Sequence, residues 1–212
     1  MDRTGIGGTV DGRAARRNMS GEERRQQIVD VAAELFDRAG YAQATMGDIA
    51  AAVGLAKPTL YHYFPSKDEI LVSIHEEFVN LVISQQERRA TSDLAPEQRL
   101  LETMVDIMEL MRTHRGHVRA FFEHHRDLPP DALRSILGKR RQYQRMVEST
   151  IQSAIDAGTF RPVDTRLASL AVFGMCNWAY QWFDASGPLS PREIAIQFWG
   201  FVTHGLMSRR SD

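Results

Sequence analysis

Residues 45–67, TMGDIAAAVGLAKPTLYHYFPSK, constrain the fold more tightly than any other part of the chain. Met46, Ile49, Ala50 and Val53 fall at the spacing of one helical face. Gly54 follows them, and glycine tolerates the left-handed conformation in which helices commonly end. Leu55 and Ala56 then make a turn, Lys57 and Pro58 open a second helix, and Leu60 and Phe64 supply its buried face. Proline suits a first helical turn because its missing N–H loses no bond there. Two short helices joined by so tight a turn follow helix-turn-helix grammar, with a second helix short enough to lie in a DNA major groove.

The same punctuation recurs along the chain. Ser20-x-x-Glu23 has the form of a capping box, and the helix behind it carries Ile28, Val31, Ala32, Leu35 and Phe36 on one face before Gly40 closes it. Thr45-x-x-Asp48 and Ser66-x-x-Glu69 repeat the signal. Three short helices therefore form a compact domain over residues 20–66. From Lys67 the apolar stripe continues through Ile70, Leu71, Ile74, Phe78, Leu81 and Val82 to Arg89. A helix of that length spans roughly 30–35 Å and reaches into a second domain, residues 67–212.

Within that second part, Pro96 opens a helix with Leu100, Met104, Ile107, Met108 and Met111 on one face. Residues 113–130 hold a short helix bracketed by Gly116 and by Pro129-Pro130. A long helix through Leu133, Ile136, Tyr143, Val147, Ile151 and Ile155 ends at Gly158. Asp164 caps the next, expected to run through Leu167, Leu170, Ala171, Gly174, Trp178 and Trp182. Gly187-Pro188 breaks the chain, and Ser190-Pro191-x-Glu193 opens a last helix through Ile194, Phe198, Phe201, Val202 and Leu206. No strand-like alternation is present. The expected fold is all-α with about nine helices.

Composition excludes several classes. With 43% hydrophobic and 25% charged residues in 212, the chain has the balance of a soluble globular protein. No apolar run approaches the ~18–20 residues of a membrane span, and the polar N-terminus has no signal-peptide core, so a cytoplasmic location with no membrane partner is expected. The lone Cys176 suits a reducing compartment and core packing. A net charge of −1 argues against indiscriminate coating of nucleic acid, and up to Lys67 nine basic residues stand against eight acidic ones. Any DNA recognition must rest on local placement. Residues 1–19, rich in Gly and Arg, read as a disordered basic arm. It is either a solvated tail or a strap whose Arg13, Arg16 and Arg17 touch phosphates or a minor groove.

Several residues together carry a family resemblance: Phe36-x-x-x-Gly40-Tyr41, Thr45-x-x-x-Ile49-Ala50, Val53-Gly54, and Leu60-Tyr61-x-Tyr63-Phe64-x-x-Lys67. The chain resembles the TetR family of one-component transcriptional regulators. The resemblance implies a homodimer that binds a two-fold symmetric double-stranded DNA operator and releases it when a small-molecule effector binds. It implies that Thr45 caps its helix while touching a phosphate. Lys57, Pro58, Thr59 and Tyr61 would lie on the exposed face of the recognition helix, with Tyr63 and Lys67 at the DNA backbone. Independently, helix N-termini at Thr45 and Ser66 offer free N–H groups and partial positive charge to phosphate. Lys57 can read a guanine edge, and Thr59 or Pro58 can meet a thymine methyl. Tyr61 stays open between a DNA contact and a packing role.

Met104, Met108 and Met111 share one face, with Phe121, Phe122, Phe173, Trp178 and Trp182 elsewhere. These are candidates for lining a cavity for an apolar or amphipathic effector, or else plain core. Residues 173–178 with Trp182 and residues 187–191 resemble the TetR branch that senses acyl-CoA thioesters in fatty-acid or steroid catabolism. A CoA ligand requires cations for its phosphates, and Arg112, Arg115, Arg119, Arg126, Lys139, Arg140 and Arg141 are available. A different hydrophobic or aromatic effector is the alternative. By family analogy the last two helices pair with their copies, Ala171, Gly174 and Gly205 allowing close approach while Phe198 and Phe201 fill the seam.

An enzyme is the competing class. No nucleophile elbow or phosphate-binding glycine loop is present, and no cofactor is expected. His114-x-x-His117 has workable metal spacing. Gly116 interrupts any shared helix, however, and neither a cysteine nor a convincing carboxylate partner completes the set. No metal site is expected.

Overall fold

Helix starts follow the polar side chains that satisfy free backbone N–H groups. In the computed structural model, which describes residues 19–206, the Ser20 side chain accepts from the Glu23 N–H while the Glu23 carboxylate accepts from the Ser20 N–H, opening α1 (Gly21–Ala39). Thr45 and Asp48 do the same for α2 (Met46–Val53). Gly54 ends α2 at φ +73°, in the left-handed region that only glycine occupies cheaply. α3 is Lys57–Tyr63, and Ser66 caps α4 (Lys67–Ala90) through the Glu69 N–H. Then come α5 (Pro96–Thr113), α6 (Arg115–Glu123), α7 (Pro130–Asp156), α8 (Thr165–Asn177) and α9 (Pro191–Leu206). Single 3₁₀ turns occupy His125–Asp127 and Trp178–Gln181. Among the described residues the fold is all-α, with nine α-helices. The arm read over residues 1–19 lies outside the described residues up to residue 18, Arg13, Arg16 and Arg17 included.

Two boundaries differ from expectation. Gly116 does not interrupt a helix but sits in the first turn of α6, because a Cβ there would lie 2.6 Å from the Ala33 carbonyl of α1. The glycine is a close-approach site between helices. The helix through Leu170 stops at Asn177 and tightens into the 3₁₀ turn at Trp178. At three residues per turn instead of 3.6, that turn rotates Trp182 off the stripe it was expected to share.

α1, α2 and α3 close over Ile28, Phe36, Ile49, Leu60 and Phe64, with Ile70, Leu71 and Ile74 of α4 completing the cluster. The same continuous core runs on through Phe78, Val79 and Val82 of α4 to Met104, Met108, Phe121, Val172 and Val202. Burying side chains such as Leu60 and Phe64 completely contributes about 1.5–3 kcal/mol each. A buried polar relay crosses the sensor half: Thr103 Oγ1 donates to Gln86 Oε1 (2.9 Å), and Gln86 Nε2 donates to Thr150 Oγ1 (3.1 Å), joining α5, α4 and α7. Cys176 is buried, and burial pushes its thiol up to about 12, so it packs as a small apolar residue.

Candidate nucleic-acid interface and effector cavity

The second helix of the helix-turn-helix presents an almost undivided outer face. Lys57, Pro58, Thr59, Tyr61 and His62 are exposed, while Leu60 and the following Phe64 are sealed in the core. Tyr61 is 44% exposed and so is not a packing residue within the protomer. Nearby, Thr45 is exposed at the start of α2, its hydroxyl both capping the helix and donating to Asp48 Oδ2 (2.6 Å). Tyr63 is half-buried against the core, beside His62.

Lys67, expected at the DNA backbone, has a structural role within the subunit. Its Nζ donates to the Tyr41 carbonyl (2.6 Å) and the Ala44 carbonyl (3.0 Å), and it lies over the Tyr41 ring at 4.3 Å. Two of its three donors are therefore spent clamping the α1–α2 loop to α4, a role sequence spacing does not reveal. Arg25 was missed as well. Its guanidinium donates to the Tyr63 carbonyl and to Ser73 Oγ, both at 3.0 Å, and lies over the Phe64 ring at 4.0 Å. It fixes the end of α3 against α1 and α4.

The sensor half contains a cavity of about 680 Å³ between α4, α5, α6, α7 and α8. Five of the eight expected lining residues meet on it: Met111, Phe121, Phe122, Phe173 and Trp178. Met104 and Met108 do not, being wholly buried as core. Trp182 does not either; it is exposed and packs edge-on to Phe198 of α9. Gly174, expected at the dimer seam, is exposed on α8 and also borders the cavity. Ala171, Phe198 and Phe201 lie on the α8–α9 surface, with Phe201 69% exposed; the side-chain surroundings of Gly205 lie outside the described residues.

The polar part of the cavity is cationic. Arg140 and Arg141 both line it, with Gln144 and Asn177. Arg140 is half-buried and lies 5.1 Å over the Phe121 ring. No carboxylate pairs with it among the described residues, and desolvation pulls its pKa below the ordinary guanidinium value. A desolvated cation without an anion is costly on its own and favours an anionic ligand.

Residues 28–74 match the family profile described as bacterial regulatory proteins, tetR family, and residues 93–206 match the tetracyclin repressor-like C-terminal domain. The chain belongs to the TetR family. Among TetR relatives it is 25% identical over 185 residues to the transcriptional repressor KstR2 of Mycobacterium tuberculosis, covering 86% of this chain and 92% of that one. The TetR regulator PfmR of Thermus thermophilus superposes with a TM-score of 0.79 at 28% identity, covering 85% and 99%. AibR, solved in complex with isovaleryl coenzyme A and operator DNA, gives 0.76 at 28% identity, covering 84% and 97%. Like other TetR proteins, this chain is a DNA-binding transcriptional regulator with a separate ligand-binding region.

Proposed function

We propose that the protein is a homodimeric cytoplasmic repressor that leaves its palindromic operator when an acyl-CoA-type thioester enters the cavity. Its DNA-reading head comprises residues 20–66 and its sensor residues 67–212, and it acts as a regulator and not as an enzyme. The observation that carries the effector class is Arg140, without a carboxylate partner in a largely apolar cavity that it lines together with Arg141, and whose size suits an acyl chain. The AibR complex with isovaleryl coenzyme A supports the same class. Operator contacts are assigned to Thr45, Lys57, Pro58, Thr59, Tyr61 and Tyr63, with Lys67 as a support. The exposed apolar side chains Leu167, Ile196 and Phe201, with Trp178 and Trp182, supply the surface a partner subunit would cover.

Fluorescence anisotropy on an operator selected from random duplexes tests both halves. Affinity is expected to fall steeply with salt, since several phosphate contacts release counterions. Lys57→Ala combined with Tyr61→Ala is expected to abolish binding with Tm nearly unchanged. Acyl-CoA is expected to release the operator from the wild type and to do so far more weakly with Arg140→Leu. Release by uncharged hydrophobic compounds alone, with Arg140→Leu responding normally, would assign the cavity to a different effector class.

A further inference from the structure

None of the four histidines between Thr113 and Arg126 lines the effector cavity, yet one of them meets two carboxylates from other helices. His117 Nε2 of α6 lies 3.5 Å from Asp30 Oδ1 of α1 and 3.9 Å from Glu77 Oε2 of α4. The three ligand atoms all fall within 4.8 Å of one another. In a tetrahedral zinc site with bonds of about 2.0–2.2 Å, neighbouring ligand atoms sit about 3.4 Å apart. The separations of His117 Nε2 from Asp30 Oδ1 and Glu77 Oε2, 3.5 and 3.9 Å, lie close to that value.

The charge in this corner is unbalanced. Gln26 Nε2 donates to both carboxylates, at 3.2 Å to Asp30 Oδ1 and 2.7 Å to Glu77 Oε2, but an amide orients them without neutralising them. Arg25, a cation that acts on Glu77, donates to the Tyr63 carbonyl and Ser73 Oγ rather than to either carboxylate. Burial, and then the neighbouring Asp30, raise the Glu77 pKa. His117 is buried on α6, and its Nε2 faces both carboxylates. Two clefts of about 480 and 470 Å³ border the cluster on either side, leaving room for water in the remaining coordination positions.

We propose that Asp30, Glu77 and His117 bind a divalent transition metal ion of the zinc class, which staples the DNA-reading head to the sensor. One imidazole and two carboxylates form a mixed N/O donor set suited to such ions. The ligands come from three helices, so the ion draws α1, α4 and α6 together at the point where α6 already touches the α1 backbone at Gly116. α6 also carries Phe121 and Phe122 on the cavity wall, so the staple and the effector act on the same helix. Gln26 serves as the group that orients the ligating carboxylates.

The test uses full-length protein stripped with EDTA and titrated with Zn²⁺ against a chromophoric chelator, without DNA or effector. One tight Zn²⁺ per protomer is expected, with a rise in Tm on loading. Asp30→Asn, an exposed position that leaves the core intact, and His117→Gln are each expected to weaken binding at least ~tenfold and to remove the Tm rise. The Co²⁺-loaded wild type should show d–d absorption that both variants lack. Absence of stoichiometric Zn²⁺ binding overturns the proposal. So does an Asp30→Asn variant whose affinity and Co²⁺ spectrum match the wild type, since the metal would then sit elsewhere.

Discussion

At the residue scale, two positions carry costs that single atoms explain. Gly116 has the Ala33 C and O atoms at 2.6 Å and the Glu34 N at 2.9 Å from where a Cβ would stand. Backbone cannot swing aside as a flexible side chain can. Gly116→Ala is expected to push α6 off α1 and cost about 1–3 kcal/mol, read as a fall in Tm. His75, wholly buried on α4, donates from Nδ1 to the Leu71 carbonyl (2.9 Å), while its Nε2 has no partner and its ring packs on Phe121. Burial pushes its pKa down from 6.5 to about 4; the Leu71 carbonyl opposes this, and His125, His124 and Arg140 add to it. Between those two values the unfolded chain binds the proton and the folded one does not. Stability is therefore complete above pH 6.5 and is lost as the pH falls towards 4, by up to about 3 kcal/mol. His75→Leu is expected to flatten the dependence of Tm on pH in that window.

At the scale of elements, helix starts are the most local feature and the easiest to read from sequence. Ser20, Thr45, Ser66 and Asp164 all cap as their spacing predicts, because a cap involves residues only three apart. Thr45→Ala is expected to cost about 1 kcal/mol by circular-dichroism melting and to weaken operator binding further than that loss of stability explains. The outer face of α3 was equally legible, since Leu60 and Phe64 fix which side points inward. What sequence could not reveal depended on neighbours far along the chain. Lys67 clamps a loop because Tyr41 and Ala44 bring carbonyls to it. His117 acquires carboxylates from α1 and α4 that no local spacing announces. Met104 and Met108 share a helix with Met111, yet only Met111 reaches the cavity, because α5 is buried on several sides.

At the scale of the whole molecule, the outer faces of α8 and α9 leave Leu167, Ile196 and Phe201 in water. For the homodimer proposed above, Phe201→Asp is expected to shift the protein from dimer to monomer by light scattering and to weaken operator binding, since two half-sites then no longer share one protein. Within a single subunit, α4 supplies Ile70, Leu71 and Ile74 beneath the recognition helix and Phe78, Val79 and Val82 to the sensor half. The two halves are thus two ends of one hydrophobic body. A fragment ending before Lys67 would leave Leu60 and Phe64 uncovered on that side, so calorimetry should record one melting event for the full chain and none for the excised head. Grafting this head onto another regulator would then succeed only if the first two turns of α4, and the α6 surface against α1, travel with it.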